Sequence, residues 1–180
     1  VTAERMLKSL TQFMGLMISA NSKYDKYMVG IETLSAEEMK GLKLFRSKCA
    51  NCHKEPLFTD NTYKSNGLPI NKRLDDKGRI VITGNENDIY KFKVPSLRNV
   101  ELTFPYMHDG RFRNLNEVLN YYSDASKHSN YSDTLVYQIG KISKEEIAAL
   151  HAFLLTLSDK TFIYDRRFAD PNYSRNTNNN

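Results

Sequence analysis

Apolar residues recur at three- and four-residue spacing in four stretches of the chain, and each such stretch predicts a helix. In the first, Leu7, Leu10, Met14 and Met17 form one stripe which, with Phe13 beside it, is expected to be ordinary core. The second opens at Ser35, with Glu38 three residues on as a capping box, and runs through Leu42 and Phe45 toward Cys49. A third spans about Leu115 to Tyr122, capped by Asn114 with Glu117 at the reciprocal position. The fourth opens with Ser143 and Glu146 and is expected to bury Ile147, Leu150, Leu154 and Leu157. Within the third helix Leu115, Val118, Leu119 and Tyr122 share one face, whereas Tyr121 falls on another.

Between Lys54 and Pro105 the pattern changes. Pro56, Gly67, Pro69, Gly78, Gly84 and Pro95 punctuate the chain, and only Ile80-Val81-Ile82 reads as a strand. So long an irregular stretch is unusual in a compact domain unless something other than secondary structure organises it. A large apolar cofactor would do so. The Asn-rich polar tail after Tyr173 is expected to be disordered.

Composition narrows the function classes. The 180 residues suffice for one domain with a buried core, and 40% hydrophobic with 26% charged residues is an ordinary globular balance. No apolar run approaches the ~18 residues that span a bilayer, so no membrane span is expected. The net charge of +5 is spread among acids without a basic stripe, so nucleic acid is not an expected partner. The opening residues, Val1-Thr2-Ala3-Glu4-Arg5, lack a charged lead into an apolar stretch and do not read as a signal peptide. They read as a chain cut within a helix, with the natural protein beginning upstream.

The two cysteines lie in Cys49-Ala50-Asn51-Cys52-His53. This spacing lets two thiols on one helical turn reach the two vinyl groups of a porphyrin, with the adjacent His beneath the iron. Three other readings compete. A thioredoxin-like redox pair wants a βαβ context, whereas here a helix leads in and loops follow. A zinc site needs four ligands, and His108, His128 and His151 offer no matching paired spacing. A plain disulfide would leave His53 incidental. Covalent attachment of one haem c, with His53 on the iron, is the expectation. Attachment of this kind takes place in the periplasm or an equivalent compartment, so a periplasmic, exported protein is expected.

A second block is more specific. Phe92-Lys93-Val94-Pro95-Ser96-Leu97-Arg98-Asn99-Val100 precedes Leu102-Thr103-Phe104-Pro105-Tyr106-Met107-His108-Asp109-Gly110-Arg111-Phe112. Together with Cys49–His53, Glu55-Pro56-Leu57-Phe58-Thr59-Asp60 and Asn66-Gly67, it resembles the C-terminal haem domain of bacterial di-haem cytochrome c peroxidases and MauG-like proteins, over about residues 10–160. The resemblance implies an all-α, cytochrome c-like haem domain over residues 1–165, with long irregular loops around the haem and a polar tail over 166–180. It implies the electron-relay half of a di-haem oxidoreductase, two haems in the full-length protein, hydrogen peroxide as oxidant and a small electron-donor protein such as a cytochrome c. An N-terminal haem domain of the same protein would carry the peroxide chemistry and its acidic residue, so this half alone is expected to lack efficient peroxidase activity. The alternative is a stand-alone mono-haem electron carrier; a haem-based sensor would need an open sixth site.

The family position for the sixth iron ligand lies fourteen residues after His108, at Tyr122, where conventional peroxidases have Met and MauG-like proteins have Tyr. Met107 is the alternative ligand. The resemblance places His108 in the haem environment without ligating it. It gives Thr103 and Pro105 backbone carbonyls to an interdomain calcium. Arg98, in an otherwise apolar stretch, is a candidate partner for a haem propionate, with a surface salt bridge the rival. The chain departs from MauG in having no Trp; Ser47 stands about where MauG carries a surface Trp, so a MauG substrate is not inferred.

Overall fold

In the computed structural model, which describes residues 1–170, two helices make the frame. Helix α3 (Ala36–Lys48) packs across α7 (Lys144–Leu155) at Gly41, where an added Cβ would fall onto the carbonyl oxygen of Ala149 and within 2.7 Å of Phe153 Cβ. A residue without a side chain is what lets the two backbones meet. Around the crossing, Leu42, Phe45, Leu150, Phe153 and Leu157 are fully buried. Tyr24, Phe58 and Phe153 interlock edge to face or tilted, with centroids 4.9–6.2 Å apart. Such pairs add about 0.5–1.5 kcal/mol each beyond the area they bury.

The expected caps are present. Ser35 with Glu38 and Ser143 with Glu146 form complete capping boxes, and α5 (Leu115–Tyr122) starts at Asn114, whose side chain accepts from Glu117 N at 2.9 Å. The remaining helices are α1 (Ala3–Gly15), α2 (Lys23–Met28), α4 (Ile80–Thr83), α6 (Thr134–Tyr137) and α8 (Lys160–Ile163). Helix α2 carries a further capping box, Ser22 with Asp25, that periodicity did not signal. The fold is thus mostly helical, with one small antiparallel sheet of β1 (Tyr63–Lys64) and β2 (Phe92–Lys93).

Two expectations are corrected. Ile80-Val81-Ile82 is a helical turn, closed by Gly84 in the left-handed region (φ 64°) with its N–H on Ile80 O. Three β-branched residues make a strand only where a neighbouring strand accepts their ladder; here Val81 and Ile82 face solvent. The apolar stripe of α1 is not core either: Leu7, Leu10, Phe13, Met14 and Met17 are all exposed. Periodicity reports that one face is apolar, not what that face meets. No described helix is long and apolar enough to cross a membrane. Of the expected polar tail, residues 171–180 lie outside the described residues.

Candidate haem site

The end of α3 winds directly into the cysteine motif. Cys49 N–H donates to Phe45 O at 2.7 Å, and the N–H groups of Cys52 and His53 both return to Cys49 O, at 3.2 and 3.0 Å. Two thiols and one imidazole are therefore carried on a single tight turn. Both cysteines are free and half-buried. Burial pushes the Cys49 thiol up to about 12, and burial also raises Cys52. A dithiol exchange pair needs the opposite, a thiol depressed toward neutrality. Among the described residues no three His, Cys, Asp or Glu side chains cluster closely enough to hold a bare metal ion.

His53 is held from one side of its ring. Its Nδ1 lies 3.1 Å from both Phe58 O and Pro95 O. Carbonyls only accept, so the proton sits on Nδ1; burial lowers the imidazole's proton affinity, which leaves Nε2 a bare lone pair. Phe58 aims its carbonyl from a left-handed backbone (φ 54°), while its ring is locked in the core against Tyr24, Phe45 and Phe153. The imidazole's orientation thus descends from the aromatic core.

Tyr122 ends α5 close enough to Cys49 and Cys52 for both thiols to influence its proton, and the nearby Asn66 side chain favours that proton's loss. Burial pushes its phenol up to about 12. Cys49, His53 and Tyr122 each keep accessible surface although burial dominates their proton affinities. Met107, the alternative ligand, has its Sδ 3.2 Å from Asn66 Nδ2. Tyr121, assigned by helix face to the other side, is in fact more buried than Tyr122 and donates to Asn66 O at 3.0 Å. It faces inward because the 65–67 loop and His128 close over the end of α5; His128 Nε2 donates to Tyr121 O.

Arg98, the candidate propionate partner, makes two guanidinium bonds to Asp25, at 2.8 and 2.9 Å, and two to Pro56 O, at 2.8 and 3.1 Å. A bidentate carboxylate partner plus a carbonyl consume nearly all its donors. His108 is exposed and stacks on Phe92 at 3.8 Å, nearly parallel. Thr103 and Pro105 lie exposed on the turn before Tyr106.

A paired-thiol turn, an imidazole with its outer nitrogen free and a phenol near both thiols form a donor set that fits a covalently held haem. The cytochrome c family model matches residues 38–158, which include this whole set. The chain belongs to the cytochrome c family. Within it, the cytochrome c551 peroxidase of Nitrosomonas europaea is 33% identical over 162 residues, covering 88% of this chain and 45% of that protein. The methylamine utilization protein MauG of Methylorubrum extorquens is 31% identical over 162 residues, covering 87% and 45%. A solved structure of a MauG-like protein associated with microbial copper homeostasis superposes with a TM-score of 0.76 at 32% identity, over 85% of this chain and 52% of that one. The chain spans about half the length of these relatives. It is a cytochrome c haem domain of the di-haem peroxidase and MauG family, and the family implies haem c as its cofactor.

Proposed function

We propose that this domain, over residues 1–165, holds one haem c through Cys49 and Cys52, with His53 and Tyr122 as the two iron ligands. It relays electrons in a di-haem peroxidase or MauG-like oxidoreductase to a peroxide-reactive haem in an N-terminal domain of the same protein. The observation that carries this reading is His53: two backbone carbonyls fix its proton on Nδ1, leaving Nε2 free beside two unpaired thiols. When bound, the haem supplies a one-electron ferric/ferrous couple.

The chain's own residues set the character of that couple. Tyr122 must give up its proton to ligate, and burial works against this while the Asn66 amide assists it. As an anionic oxygen donor it would favour ferric iron, where a thioether would favour ferrous. Such a domain suits the sharing of oxidising equivalents better than the storage of reducing ones. A small donor protein such as a cytochrome c, hydrogen peroxide as oxidant and a periplasmic setting, where haem attachment occurs, complete the reading. Thr103 and Pro105 would lend carbonyls to an interdomain calcium. Two neutral carbonyls fall short of the about six to eight oxygens that calcium takes, so calorimetric titration of this chain alone should show weak binding. Submicromolar affinity would contradict that.

Tyr122→Phe tests the ligand assignment. It removes one oxygen and keeps the ring, so the ferric protein should become five-coordinate or take up water, and its reduction potential should rise. Met107→Leu should leave both unchanged. The reverse pattern would make Met107 the ligand.

A further inference from the structure

Resting on the reading that the haem sits on the Cys49–His53 turn beside Tyr122, we propose that Tyr137 is a second redox site at the surface. It gives one electron to the peroxide-oxidised haem through the rings of His128, Tyr121 and Tyr122, and is restored by an external phenolic reductant. From Tyr122 outward the ring centroids are 5.5, 4.9 and 5.8 Å apart, each pair tilted or edge to face. These are contact distances for aromatic rings. Electron tunnelling falls off exponentially with the gap, so rings in contact conduct where open space does not. The outer end is tied to the attachment turn as well. Lys48, next to Cys49, donates from Nζ to Ile139 O at 2.7 Å, two residues past Tyr137.

Each ring is fixed by a backbone carbonyl. Tyr121 Oη donates to Asn66 O at 3.0 Å, His128 Nε2 to Tyr121 O at 3.2 Å and Tyr137 Oη to Ser129 O at 3.1 Å. Tyr121 is 3% exposed, out of reach of any reductant, whereas Tyr137 is 45% exposed and meets solvent. A side branch from Tyr121 to Phe112, at 5.7 Å, ends in a ring without a hydroxyl, which is far harder to oxidise. The chemistry balances over two chains. For each hydrogen peroxide, two Tyr137 phenols give one electron each and release their protons to solvent. The O–O bond breaks, the two electrons and two protons complete two waters, and two phenoxyl rings remain. A phenol that surrenders its O–H hydrogen restores each ring. Without one, two rings join carbon to carbon as dityrosine, the displaced ring hydrogens returning to oxygen.

The test uses the haem-loaded chain, as wild type and as Tyr122→Phe, which opens the iron to peroxide and keeps the ring in the chain. After peroxide without reductant, fluorescence and peptide mass mapping should place dityrosine at Tyr137, most strongly in Tyr122→Phe. A small added phenol should suppress it. In the Tyr122→Phe background, Tyr137→Phe and His128→Leu should each lose the cross-link, and Tyr164→Phe should leave it unchanged. Tyr164 is 77% exposed, so oxidant diffusing in solution would reach it before Tyr137. Cross-links mapped to Tyr164, or none in either protein, would overturn the proposal. So would a Tyr137 cross-link that survives His128→Leu, because the ring chain would then not carry the electron. The Tyr137→Phe variant, altered only at an exposed hydroxyl, guards against misfolding of the leucine variant. The underlying reading fails separately: a ferric spectrum unchanged by Tyr122→Phe would remove Tyr122 as ligand, whereas the mapped residue decides the route.

Discussion

The imidazole of His53 and the guanidinium of Arg98 are placed by backbone carbonyls from the short stretch Pro56 to Phe58, with Pro95 O as the second partner of His53. Arg98 ties that stretch to α2 through Asp25, whose carboxyl is held below its ordinary value. Burial pushes it up, but hydrogen bonds from Arg98 and Ser22 outweigh the burial. Asp25→Asn should cost about 2 kcal/mol in chemical denaturation at neutral pH, because a half-buried charged donor loses its partner. The folded carboxyl titrates below the unfolded one, so its stabilisation is complete above about pH 5 and is lost as pH falls through the folded value. The difference between wild type and Asp25→Asn should therefore narrow on acidification; a difference that widens would contradict the clamp. The sequence did not show the Asp25 clamp, because an Arg in an apolar stretch serves several roles and its carboxylate partner lies 73 residues away. Cys49, Cys52 and His53 were legible because their chemistry is written in adjacent positions. Asn66 was legible only as part of a motif, since its hydrogen bonds run to residues 41 and 55 positions distant.

Among the elements, α3 and α7 were readable from periodicity and caps alone, since a capping box and a core stripe are both local patterns. Their crossing was not. It depends on Gly41 meeting Ala149, more than a hundred residues on. Gly41→Ala should raise helix propensity yet destabilise the protein by about 3 kcal/mol, because the added methyl meets backbone rather than a yielding side chain. Equilibrium unfolding measures this, and a neutral or stabilising outcome would mean that the helices can separate without loss. Ser143→Ala, which removes a cap and touches no core, should cost about 1 kcal/mol. Helix α4 shows the limit of local reading: its β-branched run has no strand to join, and Gly84 ends it as a helix. Helix α1 shows another limit, since amphipathic spacing says nothing of what the face meets.

For the whole molecule, the long irregular segment from 54 to 105 supplies Asn66 and the carbonyls that hold His53, while α5 and the turn at Tyr106 carry Tyr122 and Met107. Only two-residue strands and short helical turns organise that segment internally. Hydrogen exchange should accordingly show its amides gaining protection on haem attachment, while the α3–α7 pair changes little. Equal protection with and without haem would mean that the loops fold without the cofactor. The measurement that bears most directly on the central claim is the mass of the denatured chain after maturation in cells that attach haem c. The expected result is a chain heavier by one haem, with a c-type pyridine haemochrome spectrum, and loss of that mass when Cys49 and Cys52 are both changed to Ser. A chain of unmodified mass, with haem that extracts into acidified organic solvent, would contradict covalent attachment at these residues.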